Sequence, residues 1–231
     1  MIITVGAEKG GVAKTRISTH IAAIAASQGV DVVLLDTDKQ GSAISWCGIR
    51  NAEGVEPSIP VFALPPNPGR ELVNLSSKYD LVVVDIGAQN YRTMIECALL
   101  SDLVLVPTGP DQQELESTLS VFDTFKGMTG RHIRYQEIPA FVVLARVSSI
   151  ENSKATKDIR DLFEAEGIDV FAAQIAHRAA WLATGRTGRA VHELKGKDRS
   201  QKAIDEIQGV YDEIISRNKA LEKTLAKQAK A

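Results

Sequence analysis

Five short apolar stretches, residues 2–5, 32–35, 81–84, 103–106 and 141–144, are rich in β-branched side chains and lack strict polar alternation. That pattern predicts strands buried on both faces. Between them, residues 14–27, 90–100, 111–126 and 154–166 carry apolar positions at helical spacing, and Asp111 followed by Glu114 is close to a capping box. Strand alternating with helix implies right-handed βαβ units, hence an α/β fold: a mostly parallel, doubly wound sheet with helices on both faces. Residues 58–64 contain prolines and fit a strand at the sheet margin, and residues 65–69 mark a loop. From Ala203 onward, Ile204, Ile207, Tyr211, Ile214, Leu221 and Leu225 form one apolar stripe on a helix. With fewer than four heptads, the stripe predicts docking onto the domain body rather than a coiled coil.

A chain of 231 residues, 44% hydrophobic and 24% charged, is sized for one globular domain and excludes wholesale disorder. No apolar run approaches the roughly 20 residues that span a bilayer. The start, Met1-Ile2-Ile3-Thr4-Val5-Gly6, has no basic region or small-residue cleavage site and predicts a cytoplasmic protein. Cys47 and Cys97 read as reduced structural thiols, and His20, His132, His177 and His192 are too scattered for a zinc site. The net charge of −2 conceals an asymmetry: residues 1–185 hold 16 basic against 22 acidic side chains, whereas residues 186–231 hold 11 against 7. A basic end on an acidic body points to an anionic partner.

The first strand runs into Gly6-Ala7-Glu8-Lys9-Gly10-Gly11-Val12-Ala13-Lys14-Thr15, and a helix follows. A glycine-rich turn lets backbone N–H groups converge on phosphate oxygens, and the next helix aims its N-terminal dipole at the same anion. Lys14 then neutralises β/γ-phosphate charge and the Thr15 hydroxyl ligates Mg²⁺.

Residues 9–15, Lys-Gly-Gly-Val-Ala-Lys-Thr, resemble the deviant Walker A motif of the ParA/MinD group of P-loop ATPases, closest in look to small plasmid partition ParA proteins. The resemblance implies ATP and Mg²⁺ as cofactors, with Lys9, Gly10, Gly11, Val12, Ala13, Lys14, Thr15 and Arg16 around the phosphates. It also implies that Lys9 reaches across an ATP-sandwiched homodimer to the partner's phosphates. Ala13 departs from the usual glycine, and a positive φ there would strain it. Arg16 stands where the group often has Thr or Ser.

Residues 32–42 end a strand in Asp36 and Asp38, two residues apart and able to share a face at the strand's carboxyl end. They resemble the group's switch I, with Lys39 in place of proline; by that match Asp36 supports the magnesium site and Asp38 organises the attacking water. Residues 79–88 are a buried strand ending in Asp85, as a Walker B acid near Mg²⁺ must be, followed by Ile86-Gly87-Ala88. Residues 104–110 resemble the strand and proline-rich turn beside the nucleotide, with Pro107, and residues 141–146 resemble a later strand ending in an arginine near the base, Arg146. The likeness covers residues 1–217 as a single domain and leaves 218–231 as a helical or disordered tail.

The function this implies is an ATP-dependent dimerising switch ATPase for DNA partition or positioning, nucleoid-associated in the cytoplasm, with a weak intrinsic rate. Nonspecific DNA would be held in the ATP state by Arg186, Arg189, Lys195, Lys197, Arg199 and Lys202, and a centromere- or cargo-binding activator protein would trigger hydrolysis. One alternative is a MinD-like membrane-associated spatial regulator, which residues 218–231 support poorly, offering only Leu221 and Leu225 besides alanines. Another is a nucleotide-dependent interaction module with little turnover, suggested by Ala13.

Overall fold

The computed structural model describes residues 1–65, 67–150 and 153–229. Its strands are β1 (Ile2–Val5), β2 (Val32–Asp36), β3 (Val61–Ala63), β4 (Leu81–Asp85), β5 (Leu103–Thr108), β6 (Ala140–Val147) and β7 (Ile175–Ala176). They form one seven-stranded sheet in the order β3-β2-β4-β1-β5-β6-β7, with every pairing parallel. The helices are α1 (Lys14–Ser27), α2 (Ser42–Ala52), α3 (Gly69–Ser76), α4 (Tyr91–Ala98), α5 (Gln112–Lys126), α6 (Lys154–Ala165), α7 (Ala180–Thr187) and α8 (Gln201–Gln228).

Both sheet faces are covered, which explains the continuous apolar strands. Ile3 and Val5 pack with Ile17, Ile21, Trp46, Trp181, Ile207 and Ile214 of α1, α2, α7 and α8. The opposite face, with Ile2, Val33 and Val84, packs with Leu72, Met94, Phe122 and Phe163 of α3 to α6. The chain first moves outward from β1 to β2 and β3, returns to β4 beside β1, and then moves out the other way. This reversal places the carboxyl ends of β1, β2 and β4 around one crevice, the position at which doubly wound sheets bind ligands.

Several expectations need correction. The strand expected over 58–64 is confined to Val61–Ala63, at the sheet edge. Gly69 opens α3 rather than closing the preceding loop, and Pro66 of that loop lies outside the described residues. The β5 strand runs through Pro107 instead of turning there. Leu105 faces β1, since its carbonyl accepts the Gly6 N–H at 3.0 Å, and Pro107 two residues on faces the same side beyond the end of β1. Its missing N–H therefore costs no ladder bond. The capping box at α5 is half formed. Asp111 accepts the Gln113 N–H at 2.9 Å, but the Glu114 carboxylate turns to the Gly109 N–H at 2.8 Å and to Arg146.

The C-terminal stripe docks as expected: Ala203, Ile207, Val210, Tyr211 and Ile214 are buried. Residues 218–228 continue α8 without a break, while Lys230 and Ala231 lie outside the described residues.

Candidate nucleotide-binding site

The loop between β1 and α1 exposes Lys9, Gly10 and Gly11 and buries the Lys14 side chain. Lys14 Nζ donates to the Lys9 carbonyl at 2.6 Å, a neutral partner for a desolvated ammonium. Burial lowers the Lys14 pKa, and the charges of Asp85 and Asp38 oppose the shift. Ala13 adopts φ 71°, the left-handed conformation that strains an alanine, and its carbonyl accepts the first helical bond of α1, from Ile17 N–H at 3.0 Å.

Asp85, at the end of β4, accepts from the Thr15 hydroxyl at 2.6 Å and from the Ser18 hydroxyl at 3.0 Å. Burial raises its pKa to about 7, the Asp36 carboxylate adds to the rise, and the two hydroxyls and Lys14 pull it back. A carboxylate this reluctant to ionise gains from a cation beside it.

The loops after β2 and β4 are knit together through Thr37. Its hydroxyl donates to the Asp85 carbonyl at 3.1 Å and accepts the Gly87 N–H at 2.9 Å, while Asn90 Nδ2 donates to the Thr37 carbonyl. A Cβ on Gly87 would lie 3.0 Å from Asp38 atoms, so glycine here is what lets the two loops touch. Asp38 Oδ1 accepts the Gln40 N–H at 2.9 Å, which aims the carboxyl group within its own loop. Asp36 is committed to backbone: it accepts the N–H groups of Asp38, Ala43 and Ile44 at 2.8, 2.8 and 3.1 Å, and thereby caps α2.

These residues fit ATP with Mg²⁺. The Thr15 hydroxyl and Asp85 carboxylate sit together beneath the loop, a hard-oxygen pair suited to a cation that keeps several waters and phosphate oxygens. Among the described residues there is no cluster of three or more His, Cys, Asp or Glu side chains able to hold a metal.

Pro107 and Arg146 lie on neighbouring strands, β5 and β6. Arg146, at φ 58°, pairs with Glu114 of α5, and its Nε is buried without a partner among the described residues. Arg16 lies with its guanidinium 5.4 Å from the Trp181 ring centroid; burial, then repulsion from Arg146, lowers its pKa. The six basic residues of the C-terminal region occupy one segment that runs from the last turn of α7 through two 3₁₀ turns, Val191–Glu193 and Gly196–Asp198, to the first turn of α8. Arg186, Lys195, Lys197, Arg199 and Lys202 are exposed and Arg189 is half-buried; Arg199 donates to Gln201 Oε1 at 3.1 Å.

Sequence reasoning missed Ser18, Thr37 and the ion pair of Arg50 with Glu193. Ser18 was findable, because it lies one turn after Thr15 on the same helix face.

Residues 3–191 match the CobQ/CobB/MinD/ParA nucleotide binding domain family. The chain belongs to this family. Its likeness to ParA/MinD P-loop ATPases, first carried by residues 9–15, is thus a membership. The chain is similar to the maintenance of carboxysome distribution protein A of Halothiobacillus neapolitanus, 28% identical over 214 residues that cover 90% of this chain and 93% of that one. It is also similar to the protein ParA of Rhizobium radiobacter, 24% identical over 209 residues, 89% of this chain and 91% of the other. The septum site-determining protein MinD of Pyrococcus horikoshii, solved with Mg-ADP, shares the fold at a TM-score of 0.67 and 17% identity, over 92% of this chain and 95% of that one.

Proposed function

We propose that this protein is an ATP-dependent, dimerising switch ATPase that positions DNA or a DNA-tethered cargo. The observation that supports it best is the convergence of Lys14, Thr15, Asp38 and Asp85 from the ends of three adjacent strands, with the two switch loops bonded through Thr37. In phosphoryl transfer the protein contributes positioning and charge stabilisation. Lys14 supplies charge to the β- and γ-phosphates; Thr15 and Asp85 would hold Mg²⁺, which neutralises charge on the phosphates when bound. Asp38 orients the attacking water within the subunit, while Lys9, exposed on the loop, reaches the partner's nucleotide. Asp36 supports the metal site indirectly, by fixing the loop that carries Asp38. Arg16, Pro107 and Arg146 border the nucleotide, Arg146 under the restraint of Glu114.

In this reading a centromere- or cargo-binding protein triggers hydrolysis, and the ATP dimer holds DNA without sequence preference through Arg186, Arg189, Lys195, Lys197, Arg199 and Lys202. The protein acts in the cytoplasm on nucleoid DNA. Residues 1–217 act as the ATPase domain, with 218–228 as its helical extension. Among the described residues no helix is long and apolar enough to cross a membrane.

The separate roles of Asp38 and Lys9 give the test. Light scattering with ATP and Mg²⁺ should show Asp38→Ala as a stable dimer without phosphate release, and Lys9→Ala as a monomer. Monomers in both cases would contradict the division of labour.

A further inference from the structure

Helix α2 is fastened at both ends. At its start, the Ala43 and Ile44 N–H groups donate to Asp36, so the helix moves with the loop that carries Asp38. One turn on, Trp46 Nε1 donates to the Thr184 carbonyl of α7 at 3.0 Å. In the last turn, the fully buried Arg50 donates from Nε to the Pro57 carbonyl at 3.0 Å, and from Nη1 to the Gly188 carbonyl at 3.2 Å. Both Nη atoms also meet the Glu193 carboxylate, each at 2.7 Å. Ala43, Trp46, Cys47 and Arg50 recur at helical spacing and form the buried face of α2.

The far side of this attachment is the basic segment. Glu193 also accepts the Ala190 N–H at 2.7 Å, which closes the turn between them. Gly188, at φ 60°, packs so tightly that a Cβ would come within 2.2 Å of the Arg50 backbone nitrogen. Segment and helix therefore cannot slide past one another. Arg189 follows Gly188 directly, and Lys195 lies two residues beyond Glu193.

We infer that Arg50 and Glu193 are positioning residues that couple the nucleotide switch to the basic segment: through α2, the placement of residues 188–193 follows the placement of the loop carrying Asp38. A buried ion pair is poor ballast, since apolar side chains of similar volume often replace it without loss of stability. What it supplies is a fixed register between two elements, here the switch helix and the turn flanked by Arg189 and Lys195. The inference rests on the nucleotide-switch reading, because nucleotide must move α2, but it does not require that DNA be the ligand.

Hydrogen exchange of the full chain with a non-hydrolysable ATP analogue and with ADP tests it. The variants are Glu193→Gln and the double variant Arg50→Met, Glu193→Leu, which replaces the pair by apolar volume in case the single change leaves Arg50 unpaired and the chain unfolded. In the wild type, amide protection should differ between the two nucleotides at 36–44 and, by about fivefold or more, at 189–193. In the folded variants the difference at 36–44 should persist and that at 189–193 should vanish. No difference at 36–44 in the wild type would overturn the switch reading itself. A difference at 36–44 without one at 189–193, or variants that keep the wild-type difference at 189–193, would overturn the coupling.

Discussion

Ala13 occupies the left-handed conformation at the head of α1, where an L side chain crowds the following carbonyl at a cost of about 1–2 kcal/mol. Ala13→Gly removes that strain but adds freedom to the unfolded chain, which takes back roughly half. The net expectation is a gain of about 0.5–1 kcal/mol in denaturant unfolding, with tighter binding of a fluorescent ATP analogue; loss of stability would contradict the strain argument. His20 gives a second residue-scale test. It is fully buried, its Nδ1–H donates to the Arg16 carbonyl at 2.7 Å, its Nε2 has no partner among the described residues, and desolvation lowers its pKa to about 3. Between about pH 6.5 and 3 the unfolded chain therefore binds the proton that the folded chain refuses, so stability falls as pH falls through that window. His20→Phe should remove about 2 kcal/mol of the stability difference between pH 8 and pH 5. Parallel stability curves for the two proteins would show that His20 is not held neutral. Residues of this kind divide by legibility. Lys14, Thr15, Asp38 and Asp85 could be read because short linear motifs fix their local geometry, whereas Arg50 meets Glu193 across 143 positions and no spacing announces the pair.

At the scale of elements, the long periodic segments were readable: α1 spans Lys14–Ser27 as its pattern predicts, and the five buried strands are where the apolar runs lie. The helices α2, α3 and α7 were not. Each is short, and α2 carries Gly48 and polar Ser42, Ser45 and Asn51 in a span whose helical state depends on Asp36 and Arg50 holding its ends. Strand β7 is two residues long and exists only by pairing with β6. The last helix was legible in its first half because its stripe is continuous there. Its buried anchors end at Ile214, and beyond them Leu221 and Leu225 line a cavity of about 490 Å³ shared with Phe122, Phe125 and Phe141. Ile214→Ala should therefore cost about 3 kcal/mol by chemical denaturation, because it opens a void in packed surroundings, while Leu225→Ala should cost less than about 1 kcal/mol. Equal losses would mean that the two halves of α8 support the fold alike.

The whole molecule carries a glycine-rich loop between β1, near the centre of the sheet, and α1, and a basic segment from the last turn of α7 to the first turn of α8, joined through α2. A modest basic segment in one subunit gains force when two subunits align, since phosphate contacts release counterions and their contributions accumulate. In the proposed switch, nucleotide controls this alignment. Fluorescence anisotropy of labelled duplexes of two unrelated sequences, titrated with protein in ATP and in ADP over a salt series, tests it most directly. Binding is expected in ATP only, equal for both sequences, falling steeply with salt, absent for Lys14→Ala and weakened equally on both sequences by Arg186→Gln with Arg189→Gln. Equal binding in ATP and ADP, or none at about 150 mM salt, would contradict it and turn the switch toward a protein cargo.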